Sequence, residues 1–179
     1  MHVGVLALQG DVFEHLSVLK KLNVYCSEVR TAKELLLVDA LIIPGGESTT
    51  LSKLLSRSGL EKEIIKRVRS GMPIFGTCAG LILLSKYGLI DIVVERNAYG
   101  RQLDSFEADI RNAKVAFIRA PKLTSVDDTV EILSVYDGNI VFCKQKNVLV
   151  CSFHPEVFGE TVFHEIFLSM VKDSSGEVC

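Results

Sequence analysis

The sequence predicts an α/β domain, a mostly parallel sheet with helices on both faces, and three observations predict it. Almost wholly apolar runs of strand length alternate with segments of helical periodicity through the first half of the chain. Those runs are apolar at successive positions rather than alternate ones, as strands covered on both faces are. Most stop at a break rich in Gly, Pro or small polar residues and lead into a helical segment, the order that builds crossovers in a parallel sheet. The length of 179 residues suits a single domain, expected over residues 1–172 with a polar tail over residues 173–179.

The elements follow in order. Val3 to Leu8 is the first apolar run, broken by Gln9-Gly10-Asp11. Val12, Leu16, Leu19 and Leu22 recur at helical spacing, with Asp11 placed to cap the start. Cys26 to Val29 forms a second strand, and Ala40 to Ile43 a third, stopped by Pro44-Gly45-Gly46. Ser48 or Thr49 opens a helix with Leu51, Leu54 and Leu55 inward, and Leu60 to Val68 forms another, ended near Gly71. Met72 to Phe75 is a fourth strand, and a very tight turn leads to a helix over Ala79 to Tyr87. The second half is richer in strands: Ile90 to Glu95, Ser105 to Ile110, Val115 to Ile118, Val130 to Tyr136, Ile140 to Lys144 and Val148 to Phe153. Asp137-Gly138-Asn139 reads as a hairpin turn. A last helix runs from about Glu160 to Val171 with Val162, Ile166, Phe167 and Met170 inward.

Composition excludes several classes. The hydrophobic fraction is 48% and the charged fraction 23%, so global disorder is excluded. The formal charge of −2 carries no basic footprint of a nucleic-acid binder. No apolar run approaches the ~18 residues of a membrane span. The first residues lack the basic and long apolar regions of a signal peptide, so a cytoplasmic location is expected. The cysteines, Cys26, Cys78, Cys143, Cys151 and Cys179, are odd in number and nowhere spaced Cys-x-x-Cys. That argues against a disulfide framework or a cysteine zinc site, and most of these thiols are expected to be small buried hydrophobes.

In open α/β sheets, sites lie beyond the carboxyl ends of the strands, which selects four segments. Gly76-Thr77-Cys78-Ala79-Gly80 joins a strand to a helix, with small residues two positions either side of Cys78. That pattern permits the strained turn of a nucleophile elbow. It sets Cys78 at a helix N-terminus, where the dipole favours negative charge, and leaves the next N–H, that of Ala79, free for an oxyanion. A plain buried cysteine in a glycine-rich turn is the competing account. His154-Pro155-Glu156 follows another strand; extended backbone projects His154 and Glu156 the same way, as a base and its orienting acid require. A surface histidine in a loop is the alternative, but His2 is terminal and His15 and His164 lie in expected helices away from strand ends. Pro44 to Thr50 carries a glycine pair that can aim N–H groups into a site; without the lysine and spacing of a P-loop, an oxyanion hole fits better than a phosphate cradle. Gln9-Gly10 lies at a further strand end. Arginines in the stretches 95–102 and 117–121 suit carboxylate recognition, although spacing alone also allows a solvated surface.

The chain resembles class I, triad-type glutamine amidotransferases, and more narrowly the glutaminase subunits of two-component pyridoxal 5′-phosphate synthases. The resemblance rests on Leu8-Gln9-Gly10 with Glu14-His15, on Pro44 to Thr50, and on Phe75 to Leu84. Val94 to Gln102, Ser105-Phe106-Glu107, Phe117 to Pro121 and Cys151 to Glu156 complete it. Gly-x-Cys-x-Gly with His-Pro-Glu marks only the superfamily; Val-Glu-Arg-Asn with Gly-Arg-Gln and Phe-Ile-Arg-Ala-Pro selects the narrower group.

The resemblance implies a flavodoxin-like three-layer α/β/α fold and hydrolysis of L-glutamine to L-glutamate and ammonia. It implies Cys78 as nucleophile, His154 as proton carrier and Glu156 as the acid that orients it. It places glutamine contacts at Gly46, Glu47, Ser48, Arg101, Ile118 and Arg119, and links Gln9, with Gly46 and Ala79, to the oxyanion hole and the partner. No cofactor and no metal are implied. The implied partner is a (β/α)₈ synthase subunit, since a barrel of ~250 residues does not fit in this chain; neither nucleic acid nor membrane is implied. The competing functions are the glutaminase of another ammonia-dependent synthase, a stand-alone cysteine hydrolase of γ-glutamyl compounds, and a non-catalytic scaffold.

Overall fold

A computed structural model describes residues 1–95 and 105–176. The first half winds strands and helices alternately: β1 (His2–Leu6), α1 (Val12–Lys21), β2 (Tyr25–Val29), α2 (Ala32–Leu35) and β3 (Ala40–Ile43), then α3 (Ser48–Ser58), α4 (Leu60–Arg69), β4 (Ile74–Thr77) and α5 (Ala79–Lys86). The second half holds β5 (Ile92–Glu95), β6 (Phe106–Ile110), β7 (Ala113–Phe117), β8 (Lys122–Val126), β9 (Glu131–Tyr136), β10 (Asn139–Gln145), β11 (Val148–Cys151) and α6 (Val162–Ser175).

Among the described residues the main sheet has seven strands in the order β2-β1-β3-β4-β11-β10-β9. Its first five are parallel, while β10 and β9 run antiparallel at one edge. With β11 as fifth strand this is the 2-1-3-4-5 order of flavodoxin-like sheets, so the mostly parallel three-layer expectation holds. Helices cover both faces. Leu51 and Leu55 of α3, Ile64 of α4 and Leu81 and Leu84 of α5 pack with Leu41, Ile43 and Ile74 on one side. Leu19 of α1 and Phe163 and Phe167 of α6 pack with Val5, Ile42, Phe75 and Leu149 on the other. Successive strand residues are therefore buried on opposite faces, which is why the strands read as unbroken apolar runs.

Hairpins complete the molecule. Asp137 and Gly138 both have positive φ, 47° and 71°, and join β9 to β10 in a two-residue turn. Arg111 and Asn112 do the same between β6 and β7. The β7 strand ends at Phe117, one residue before the expected Ile118, because Arg119 turns left-handed with φ 46°. Two elements escape the sequence reading. The α2 helix is a single turn held by a capping box between Thr31 and Glu34. The β8 strand pairs with β5. At the other end, α6 continues to Ser175, into the segment read as tail, and stops at left-handed Gly176.

Candidate active site

The sheet order sets four strand ends side by side. Cys151 of β11 pairs with Thr77 of β4, and Gly76 of β4 pairs with Ile43 of β3. The residues that follow these strands, Cys78, His154 and the Gly45-Gly46 pair, therefore emerge at neighbouring positions on one edge. β1 lies beside β3 and brings Gln9 and Gly10 to the same edge.

Cys78 sits in the strand-to-helix turn with φ 46° and ψ −99°. A side chain pays for that left-handed backbone, and two close approaches hold it in place. A Cβ on Gly80 would stand 2.2 Å from the carbonyl oxygen of Ile43, and one on Gly76 would stand 2.8 Å from the carbonyl carbon of Gly80. The Cys78 N–H donates to the Cys151 carbonyl at 2.9 Å, pinning the turn to β11. The thiol is buried and points at the Ile118 carbonyl, 3.8 Å away.

His154 is fixed through its backbone. Its N–H donates to the Ala116 carbonyl at 2.7 Å and its carbonyl accepts from the Ala116 N–H at 3.3 Å, an antiparallel bridge to β7. The Glu156 side chain is fully buried, and its Oε1 lies 2.9 Å from His154 Nδ1. Asp11 Oδ2 lies 3.1 Å from the same nitrogen. The single Nδ1 hydrogen serves Glu156 first, and half-buried Asp11 adds negative charge beside it. Burial opposes a charge on His154, but hydrogen bonding with Asp11, Cys78 and Glu156 outweighs it and holds the imidazole well above its usual range. Burial likewise pushes Glu156 up, against the hydrogen bond and charge of His154. Asp11 is held below the usual carboxylate range, chiefly by its hydrogen bond to His154.

The expected helix cap at Asp11 is thus corrected. Its side chain makes no cap hydrogen bond to α1 and turns to His154 instead. The α3 helix is capped by Glu47, whose carboxylate accepts from the N–H groups of Thr49 and Thr50 at 3.0 and 2.6 Å. A hydrogen bond with the Thr50 side chain, together with these N–H bonds, brings the Glu47 carboxyl down to about 2. The Glu47 N–H donates to Gln9 Oε1 at 3.0 Å, so Gln9 braces the glycine loop. Gly46 has φ 150°, and a Cβ there would lie 2.7 Å from that same Gln9 oxygen. Gly45 packs on the His154 ring, where a Cβ would come within 2.2 Å of Cε1.

A cavity of about 190 Å³ opens over these residues. Its walls include Cys78, Ala79, His154, Gly46, Glu47, Ser48, Ile118 and Arg119. The 117–121 stretch is therefore a pocket wall rather than a remote surface. Arg101 lies outside the described residues, as do Cys179 and most of the 95–102 stretch. Asp11, Ile82 and Pro121 also line the cavity and were not expected as site residues. His15 and His164, read as remote from the strand ends, are corrected too. Both are fully buried, and His15 Nε2 lies 3.5 Å from Glu156 Oε2. The available signal was their spacing: each sits on the apolar face of its helix, His15 with Val18 and Leu19, His164 with Phe167 and Leu168.

The atoms of Asp11, His154 and Glu156 lie within 4.8 Å of one another, a set able to hold a metal ion. The same atoms suit proton relay, with Nδ1 oriented by a carboxylate and the ring available to the neighbouring thiol. Cys143 and Cys151 are different from Cys78: burial pushes Cys143 up to about 12 and Cys151 well above its usual value.

A nucleophile elbow on a flavodoxin-like sheet, facing a histidine held by a buried carboxylate, is the architecture of a glutamine amidotransferase. A crystal structure of a glutamine amidotransferase superposes with a TM-score of 0.89 at 42% identity, covering 94% of this chain and 98% of that one. The chain belongs to the SNO glutamine amidotransferase family, whose profile matches residues 5–173. The pyridoxal 5′-phosphate synthase subunit PdxT of Thermosipho africanus is 47% identical over 96% of this chain and 100% of its own length. The subunit of the same name from Thermotoga maritima is 44% identical over 96% and 100%. The structure of PurLQS from Thermotoga maritima, at 18% identity and a TM-score of 0.67 over 97% and 95%, shares the fold alone.

Proposed function

We propose that this chain is the glutaminase subunit of a pyridoxal 5′-phosphate synthase. It hydrolyses L-glutamine to L-glutamate and ammonia, and a partner synthase subunit consumes the ammonia. The carrying observation is the junction of β4 and β11, where Cys78 and His154 line one cavity and Glu156 backs His154 at 2.9 Å.

In this reading the Cys78 thiol gives its proton to His154, the sulfur attacks the side-chain amide carbon of glutamine, and the carbonyl electrons move onto oxygen. The N–H of Ala79 and the backbone at Gly46 receive that charge. Collapse breaks the C–N bond, His154 protonates the departing ammonia, and a γ-glutamyl thioester remains. His154 then takes a proton from water, the hydroxide attacks the thioester, and glutamate leaves with the thiol restored. Glu156 keeps the ring oriented and balances its positive form. Gly46, Glu47, Ser48, Ile118 and Arg119, joined by Arg101, bind the substrate, with arginine suited to its carboxylate.

Relatives 44–47% identical over their whole length carry the name of pyridoxal 5′-phosphate synthase subunits, which favours that pathway over another ammonia-dependent synthase. Free buried thiols suit a reducing compartment, so we place the protein in the cytoplasm; among the described residues no helix is long and apolar enough to cross a membrane.

The test is a glutaminase assay with and without the synthase subunit. His154→Asn should remove nearly all turnover, because no other group carries the proton. Glu156→Gln should leave a measurable remnant. The double variant should be little worse than His154→Asn alone, as residues acting as one unit require. Additive losses would reject the assigned roles, and full activity without a partner would favour a stand-alone hydrolase.

A further inference from the structure

Glu156 has two carboxylate oxygens and the described mechanism uses one. Oε1 meets His154, while Oε2 is fully buried and, among the described residues, makes no hydrogen bond. Facing Oε2, at 3.5 Å, is Nε2 of His15, on α1. Behind His15 stands His164, on α6, with His15 Nδ1 and His164 Nε2 2.9 Å apart. Thr77 Oγ1, at the end of β4, lies 3.3 Å from His15 Nε2. The far nitrogen of His164, Nδ1, has no partner among the described residues. Three separate elements thus converge on the back of Glu156, opposite the cavity.

Both histidines are neutral at ordinary pH. Burial holds His15 well down, helped by His164 and His154, and brings His164 to about 3. A neutral imidazole carries one N–H, so the pair has two self-consistent arrangements. In one, His15 Nδ1–H donates to His164 Nε2. That turns a His15 lone pair, met only by the Thr77 hydroxyl at 3.3 Å, toward the Glu156 carboxylate at 3.5 Å, and leaves a buried His164 Nδ1–H with no acceptor among the described residues. In the other, His164 Nε2–H donates to His15 Nδ1, and His15 Nε2–H points between Thr77 Oγ1, at 3.3 Å, and Oε2 of Glu156, at 3.5 Å. Only a His164 lone pair then goes unmet, and buried acceptors are left unpaired more readily than N–H donors. The second arrangement wins on both counts.

We infer that His15, oriented by His164, is a positioning residue for Glu156: its Nε2–H secures the second carboxylate oxygen and keeps Glu156 ionised as His154 becomes charged. The 3.5 Å separation is long, and catalytic contacts commonly tighten once substrate is bound. The need is local. Burial and the charge of Asp11 both disfavour a negative Glu156, and the hydrogen bond and charge of His154, helped by the Glu156 backbone N–H, oppose them. The inference rests on the glutaminase reading of the site.

The experiment measures kcat and KM for glutamine against pH, with the synthase subunit present. For His15→Ala, kcat at pH 6 should fall at least ~10-fold with KM little changed. The acid limb of kcat/KM should move up by about one pH unit, the same tenfold change in a protonation equilibrium. His15→Gln, whose amide N–H can reach Oε2, should restore most of the loss, and His164→Phe should shift the limb the same way by less. An acid limb that stays in place in folded His15→Ala, or no restoration by folded His15→Gln, overturns the inference. Ring ¹⁵N NMR of the unmodified protein decides it without any variant: both histidines should be the Nε2–H tautomer, and Nδ1–H on His15 overturns it. If the unmodified complex releases no glutamate, the glutaminase reading falls while the tautomer result stands on its own.

Discussion

Three cysteines of this chain differ by environment alone. Cys78 lines the cavity in a strained turn, whereas Cys143 and Cys151 are sealed in the sheet with their thiols held protonated by burial. A glutamine-analogue electrophile should therefore label Cys78 and spare both at neutral pH. Peptide mapping by mass spectrometry checks this, and labelling spread among the three would remove Cys78 as nucleophile. The turn itself depends on Gly80. A methyl group there would meet the Ile43 carbonyl at 2.2 Å, a backbone atom that cannot swing aside. Gly80→Ala should cost about 1–3 kcal/mol, as overpacking does, measured by denaturant titration. It should also lower turnover by distorting the turn that carries Cys78.

Between elements, the buried contact of α1 with α6 makes the fold sensitive to acid. His164 is held at about 3, below its ordinary value of 6.5. Below pH 6.5 the unfolded chain binds a proton that the folded chain refuses, so stability falls with pH down to about 3, by about 1.4 kcal/mol per unit. His15 acts in the same direction. Glu156, pushed up by burial, acts oppositely: its contribution is present below the usual glutamate value and fades as pH rises through its folded one. With two histidines against one carboxyl, Tm should drop between pH 6.5 and 4. His164→Phe should flatten that slope, and an unchanged slope would show that His164 is already protonated in the fold. The β6–β7 hairpin plays a different part: by bridging Ala116 to His154 it holds that residue in place. It is a clamp for the site rather than part of the main sheet.

Across the whole molecule, the site is assembled from segments far apart in sequence and is incomplete where a partner could act. Gln9 ties down the Glu47 N–H beside Gly46, so that N–H is turned to Gln9 rather than to an oxyanion. A docked synthase subunit that engaged Gln9 would release it, and the glycine at 46 tolerates the change of peptide plane. Adding the synthase subunit should raise kcat for glutamine at least ~10-fold, about 1.4 kcal/mol of barrier, with a smaller gain in Gln9→Ala. Steady-state assays across a titration of the partner check both; equal kcat with and without it would reject this control.

Much of this protein was legible from its residues, because the governing interactions are local. Apolar runs define strands, Gly76 and Gly80 permit the Cys78 turn, and His154-Pro155-Glu156 is an extended tripeptide whose alternate side chains share a side. The α2 turn was also readable, since Thr31 and Glu34 spell a capping box. The β8 strand was not, because Lys-Leu-Thr-Ser-Val carries no strand periodicity and becomes a strand only by pairing with β5. Only the tertiary structure decided which strand ends are neighbours, and so that Cys78 and His154, distant in sequence, share a cavity. It turned Asp11 from a helix cap into a charge beside His154, because β1 and β3 bring its loop to that ring. It also made His15 and His164 a pair behind Glu156. An isolated helix shows that a histidine lies on the apolar face; what that face meets is set by packing between helices, which local sequence does not encode.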